Sequence, residues 1–173
     1  YYYSQNNYPK ATKYYQQTIT QDKEFMQAYY NLAYLYGETN QKKEAVVVLE
    51  SYLQKNPKDK QALFDIGLLI AEYGDYDKAV IYLEKAKATI NPNDRITLNL
   101  AKIYAYLDQK PKAERYFKEL VQNFPLIEEY DVELFQFYIT NQNIEKAKQA
   151  AIQILKKHPN FKERSVLESF IQG

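Results

Sequence analysis

A single interval of 34 residues runs through the chain and restricts its fold more than any other feature of the sequence. Three columns of similar residues recur at this interval: Ala11, Ala45, Ala79, Ala113 and Ala147; Leu32, Ile66, Leu100 and Leu134; and Tyr2, Tyr36, Ile70, Tyr104 and Tyr138. Three independent columns at one period indicate a chain built from repeated units, each of which buries its apolar face against the next. We therefore expect an array of stacked units.

Within a unit, the apolar residues are spaced as they are on helices. In the second 34-residue repeat they stand twice at i, i+3, i+4 and i+7, once on either side of a polar turn at 38–41. The first set is Tyr29, Leu32, Ala33 and Tyr36, and the second is Ala45, Val48, Leu49 and Tyr52. This spacing places each set on one face of a helix. Pro9 and Pro111 open second helices, where a missing N–H has no cost, and the other prolines lie between units.

The units resemble the tetratricopeptide repeat (TPR), whose 34-residue pattern runs W-x2-L-G-x2-Y, then A-x3-F, then P. The second 34-residue repeat matches this pattern at Tyr29, Leu32, Ala33, Tyr36, Ala45, Leu49 and Pro57. The resemblance implies an all-α fold, a right-handed α-α superhelix formed by a single TPR solenoid of antiparallel helix pairs. Its predicted parts are a partial repeat over 1–25, full repeats over 26–59, 60–93, 94–127 and 128–161, and a capping helix over 162–173.

The last repeat and the two ends of the chain differ from the regular pattern. Phe135 occupies a column otherwise held by Ala or Gly, where small residues let two helices approach closely. Val166, Leu167, Phe170 and Ile171 predict an amphipathic helix that covers the end of the stack. Tyr1 to Ser4 resemble the end of a helix whose beginning is absent, so we expect the native chain to continue upstream.

Some aromatic residues fall outside the packing face. Tyr30 and Tyr34 lie about 100° around the helix from the stripe that contains Tyr29. The resemblance implies that first helices line a concave surface, which in TPR proteins usually binds a peptide. Equivalent positions in successive repeats, together with Arg95 in a cluster with Asn99 and Lys102, then predict a partner-binding groove of Tyr30, Asn31, Tyr34, Phe64, Asp65, Leu68, Arg95, Leu98, Asn99 and Lys102. The alternative for the column of Tyr30 is an aromatic ridge half-buried against the neighbouring repeat.

Charge and composition argue against other functions. The formal net charge is +1, whereas nucleic acids and anionic membranes select a strongly basic face. No apolar run is long enough for membrane insertion. The chain has no cysteine and no glycine-rich phosphate loop, and its single histidine, His158, is expected in solvent at the end of a helix. We therefore predict no enzymatic activity, no cofactor and no metal site.

The sequence thus predicts a non-enzymatic interaction module or scaffold that binds a protein or peptide partner in the groove. One alternative is a scaffold that self-assembles into a homo-oligomer through an open N-terminal face at Tyr1, Tyr2 and Tyr3. Another is a regulatory TPR arm of a larger protein. Cytoplasmic and periplasmic locations are both compatible with the sequence.

Overall fold

The computed structural model describes residues 8–89 and 92–173, and within them every regular element is an α-helix. The ten helices are α1 Tyr8–Gln21, α2 Met26–Glu38, α3 Lys42–Lys55, α4 Lys60–Glu72, α5 Tyr76–Thr89, α6 Asp94–Tyr106, α7 Lys110–Asn123, α8 Glu128–Thr140, α9 Ile144–Lys157 and α10 Arg164–Gln172. Helices α2, α4, α6 and α8 begin where the full repeats were predicted to begin. The predictions for Tyr1 to Ser4 lie outside the described residues.

The turns inside the repeats share one backbone motif. In the first such turn, the Asn40 N–H donates to the Gly37 carbonyl at 3.0 Å, and the Gln41 N–H donates to the Tyr36 carbonyl at 2.7 Å. These two bonds form a Schellman motif, which satisfies carbonyl groups at the end of a helix. Its left-handed residue recurs every 34 positions, with positive φ at Asn40 (59°), Gly74 (87°), Asp108 (55°) and Gln142 (57°).

Contacts divide the chain into two compact units, residues 1–90 and 91–173. In the first unit, each helix packs on the next one along the chain. The predicted alanine column lies in this core, because Ala11, Ala45 and Ala79 are at most 1% exposed. Gly67 lies where α4 approaches α5 closely, since a Cβ atom at this position would lie 2.9 Å from Leu83 Cγ.

The second unit packs α6 to α10 in the same sequential manner. At its C-terminal end, Ala151, Ile154 and Leu167 form a buried cluster, and Phe161, Phe170 and Ile171 are among the partly buried residues packed against it. Helix α10 therefore packs on α9 as predicted. The inclusion of Val166 in the covering face is wrong, because this side chain is 63% exposed.

Several tyrosines connect consecutive repeats through their hydroxyl groups. Three of the pairs of donor and carboxylate acceptor are Tyr82 to Glu50 Oε1 at 3.0 Å and Tyr130 to Asp94 Oδ2 at 2.8 Å, between consecutive repeats, and Tyr52 to Asp59 Oδ2 at 2.7 Å, within the repeat 26–59. Burial, followed by the hydrogen bond to the carboxylate, raises the pKa of each of these tyrosines to about 12. These hydroxyls consequently remain donors at neutral pH and have a structural role.

A buried carboxylate connects α8 to the end of α9. Asp131 is 4% exposed; its Oδ1 accepts from Lys157 Nζ at 2.8 Å, and its Oδ2 lies 3.0 Å from His158 Nε2. The prediction that His158 lies in solvent is therefore wrong, since its side chain is 12% exposed and faces Asp131. Buried charges require such partners, because an unpaired ion in the interior is strongly destabilising.

Candidate functional site

A groove of about 510 Å³ lies between α2 and α4 in the first unit. It is lined by Gln27, Tyr30, Asn31, Tyr34, Asp65, Leu68, Leu69 and Glu72. Five of these side chains belong to the predicted site, and the fold brings them together at one place. Gln27, Leu69 and Glu72 were missed. Gln27 and Glu72 each lie one helical turn from a predicted residue, at Tyr30 and Leu68 respectively, and so on the same face, whereas Leu69 follows Leu68 directly.

The apolar part of the groove consists of aromatic and aliphatic side chains at different depths. Tyr34 is 48% exposed, whereas Tyr30 and Leu68 are half-buried. The Tyr30 hydroxyl oxygen is buried and has no hydrogen-bond partner among residues 8–89 and 92–173. Burial and then the nearby Asp65 carboxylate raise the pKa of Tyr30, so that this hydroxyl keeps its proton.

The edges of the groove are polar and carry negative charge. Gln27 Nε2 donates to Asn31 Oδ1 at 2.9 Å along α2, and Gln61 Nε2 donates to Asp65 Oδ1 at 2.9 Å along α4. These i to i+4 bonds hold the amide of Asn31 and the carboxylate of Asp65 in place. The lining includes the carboxylates of Asp65 and Glu72 and no basic side chain. Its electrostatics therefore favour hydrogen-bond donors and cations.

Phe64 was predicted to line the groove, but its ring is not part of the groove surface. Its side chain is only 4% exposed, and it belongs to a buried arc of α4 that also contains Leu63 and Gly67. The expectation of an exposed aromatic at this position is corrected for that reason. Phe64 contributes to the packing of the first unit, and the aromatic surface of the groove comes from Tyr30 and Tyr34 instead.

The other four predicted residues lie on α6 in the second unit. Arg95 and Lys102 are exposed, and Leu98 and Asn99 are half-buried. Asn99 Nδ2 donates to the Arg95 carbonyl at 2.8 Å, and Lys102 Nζ forms an ion pair with Glu133 Oε1 at 2.5 Å. Lys102 is thus held by a neighbouring helix, and partner binding by these four residues stays a prediction.

The described part of the chain contains neither a cluster of metal-binding side chains nor a membrane-spanning helix. Across residues 8–89 and 92–173, no three acidic, histidine or cysteine side chains come together as a metal site would require. None of the helices described has both the length and the apolar character needed to cross a bilayer.

The consecutive helix pairs define the protein as a helical-repeat protein. The chain belongs to the TPR family: residues 31–166 match the model described as the Psidin N-terminal TPR repeats region, and residues 1–53 match the tetratricopeptide repeat model. This family is generally a non-enzymatic protein-interaction fold. The predicted resemblance and the all-α solenoid fold class are thereby confirmed. No curated protein matches the sequence significantly.

Solved structures with the same fold have low sequence identity to the chain. YrrB, described as a TPR protein with an unusual peptide-binding site, has 17% identity and a TM-score of 0.69 over 97% of this chain and 87% of its own. MamA from Desulfovibrio magneticus RS-1 has 16% identity and a TM-score of 0.69 over 93% and 91%. The C-terminal part of a TPR protein from Cytophaga hutchinsonii has 17% identity and a TM-score of 0.69 over 99% and 69%. These similarities concern the fold alone.

Proposed function

We propose that this chain is a non-enzymatic protein-interaction module whose groove between α2 and α4 binds a segment of a partner protein. The observation that carries this proposal is the exposed ring of Tyr34 beside the half-buried Tyr30 and Leu68, edged by Asn31 and Asp65. Aromatic side chains at the centre of a patch with polar groups around it are typical of the residues that dominate binding energy at protein interfaces.

The polar groups of the groove define what a partner segment would offer. The Asp65 and Glu72 carboxylates accept hydrogen bonds, and the Asn31 amide can both donate and accept. An extended segment with apolar side chains fills the space beside Tyr34 and directs N–H groups or a lysine towards the carboxylates. The structural relative YrrB, described as having a peptide-binding site, shares the fold and supports this class of ligand.

Site-specific photo-crosslinking in the native host tests the proposal. A photoreactive phenylalanine analogue replaces Tyr34 in the full-length protein, and the matched control carries it at Val47, which is 63% exposed on α3. We expect a defined adduct from position 34 and none from position 47. Mass spectrometry of the adduct then identifies the partner and the segment bound.

The two positions are comparable in exposure, so they separate a specific partner from random collisions. Competition by a synthetic copy of the captured segment is expected to remove the adduct. Equal labelling at positions 34 and 47, or no labelling at position 34 of a protein that is expressed and folded, contradicts binding in this groove.

A further inference from the structure

A second groove lies in the second unit, between α8 and the segment that leads into α10. Its volume is about 590 Å³, and its lining residues lie outside the ten predicted from the sequence, although Val132, Glu133 and Gln136 stand 34 positions after Leu98, Asn99 and Lys102. The apolar lining consists of Val132, Phe135, Ile154, Phe161, Val166 and Leu167. The acidic lining consists of Glu128, Glu129, Glu133 and Glu163. No lysine or arginine lines this groove.

Phe135 explains why an apolar groove exists at this end of the chain. Equivalent positions in the preceding repeats hold Ala33, Gly67 and Ala101, all of which are buried at helix crossings. Phe135 is too large for such a crossing; its ring packs edge-on against Phe170 of α10, with centroids 5.6 Å apart. Because Phe135 is only partly buried, one side of its ring remains in the groove beside the exposed Val166.

The negative charge around this groove is mostly not neutralised by the protein. Glu133 is paired with Lys102, and Arg164, which follows Glu163, is paired with Glu168 at 2.9 Å. Within the part of the chain that the structure describes, Glu128, Glu129 and Glu163 have no ion-pair partner. Three carboxylates around an apolar surface attract a cationic ligand, and the effect is strongest at low ionic strength.

We propose that this groove binds a basic amphipathic segment of a partner protein. Its apolar side chains would pack on Phe135, Phe161 and Val166, and its lysine or arginine side chains would pair with Glu129 and Glu163. Charge complementarity selects this occupant, because an acidic or purely apolar segment would leave the carboxylates unpaired beside a desolvated surface.

Helix electrostatics alone do not explain the acidic residues. Glu128 and Glu129 lie in the first turn of α8, where a carboxylate is favoured by the helix dipole in any protein. Glu163 is the N-cap residue of α10, so the dipole of a second helix favours its carboxylate, whereas Glu133 lies beyond the first turn of α8. Their meeting around one apolar surface is a property of the tertiary structure.

Peptide binding measured by fluorescence anisotropy on the full chain tests the inference. The probe is a labelled peptide of about 14 residues with leucine at helical spacing and lysine elsewhere, and its control has glutamate in place of lysine. We expect binding of the lysine peptide only. The variant Glu129→Lys/Glu163→Lys is expected to weaken binding by about tenfold or more, because both changes reverse the charge that attracts the ligand.

The matched control Glu44→Lys/Glu145→Lys makes the same change in net charge at exposed first-turn glutamates outside the groove. We expect this control to bind the lysine peptide within about twofold of the parent chain, whereas Val166→Ser weakens binding because it removes apolar contact. Circular dichroism establishes that each variant is folded. Val166→Ser is expected to leave the fold intact because the side chain of Val166 is already exposed.

Three outcomes would overturn the inference. Equal binding of the glutamate peptide, or equal loss in the control variant, means that charge at this groove does not select the ligand. Full binding by Glu129→Lys/Glu163→Lys places the peptide elsewhere, with the groove at Tyr34 as the first alternative. Self-association in light scattering that Val166→Ser abolishes, without any peptide binding, assigns the surface to a second copy of the chain. The test is independent of the function proposed for α2 and α4, which Tyr34 crosslinking addresses separately.

Discussion

The Tyr73 hydroxyl donates a hydrogen bond to the Ala33 carbonyl oxygen at 3.0 Å and thereby connects the end of α4 to the middle of α2. This contact depends on Gly37, one helical turn after Ala33. A Cβ atom at residue 37 would lie 2.4 Å from the Tyr73 hydroxyl oxygen, which is closer than real atoms approach. Gly37 is thus retained inside a helix, where glycine costs about 1 kcal/mol relative to alanine, because the ring of Tyr73 occupies the space.

Substitution of Gly37 by alanine is predicted to destabilise the protein by about 1–2 kcal/mol. Alanine gains helix propensity, but Tyr73 must move and lose both its packing and its hydrogen bond. Thermal unfolding measures the change. In a Tyr73→Ala background the same Gly37→Ala substitution is expected to be neutral or stabilising, because only the propensity remains. Equal destabilisation in both backgrounds would rule out the steric explanation.

The repeat interval predicted those parts of the fold that each helix pair forms locally. The alanine column from Ala11 to Ala147 is buried throughout, and small residues lie where helices cross, because both features follow from helical periodicity. The same reasoning placed Tyr30, Asn31 and Tyr34 on one face, which became the side of a groove.

The sequence did not reveal features that depend on depth or on partners distant along the chain. Phe64 and Tyr30 share a column, yet only Phe64 is buried, because a column gives a direction on the helix and no information on how far neighbouring helices cover it. Asp131 and His158 are separated by 27 residues and meet only after α8 packs on α9. The sequence did contain one signal of this contact. Asp131 stands in a column otherwise occupied by Tyr29, Leu63 and Thr97, and a charged residue at a packing position requires a partner.

Substitution of Gln142 by glycine is predicted to stabilise the protein by about 0.5–1 kcal/mol. Gln142 has a φ of 57° in its turn, and a left-handed conformation costs an L-residue about 1–2 kcal/mol, part of which the greater flexibility of unfolded glycine offsets. Denaturant unfolding measures the gain.

The matched substitution is Gly74→Ala at the equivalent turn, where φ is 87°. No atom lies within 4 Å of a Cβ placed at residue 74, so any loss of stability there comes from the backbone conformation alone. We expect a loss of about 1 kcal/mol. Opposite signs for the two substitutions support the explanation, and a stabilising Gly74→Ala would contradict it.

The stability contributed by Glu114 is predicted to disappear in acid. Burial tends to raise the pKa of Glu114, but hydrogen bonds from Lys118, Lys146 and Tyr138 outweigh it and lower the pKa from 4.5 to about 2. Because the folded chain holds this proton less tightly than the unfolded chain does, the contribution is complete above pH 4.5 and is lost as the pH falls through about 2. Its magnitude is on the order of 2–3 kcal/mol.

Comparison with Glu114→Gln isolates this contribution from that of other carboxylates. The difference in unfolding free energy between the two proteins is expected to be largest near about pH 6 and to shrink towards about pH 2. A difference that stays constant over this range would mean that the three hydrogen bonds do not depend on the charge of Glu114.

Two glutamate substitutions on the helices of the first groove are predicted to have opposite consequences. Phe64→Glu is expected to cost about 3–5 kcal/mol, because it removes a buried ring and places a carboxylate in the core. Tyr34→Glu is expected to change stability by about 0.5 kcal/mol or less, because the side chain is 48% exposed. Melting temperatures measured for both variants decide whether burial has been assigned correctly. Tyr34→Glu is then the variant that separates loss of partner binding from loss of the fold. A Phe64→Glu protein that melts at the same temperature as the parent chain would mean that the ring of Phe64 lies on the binding surface after all.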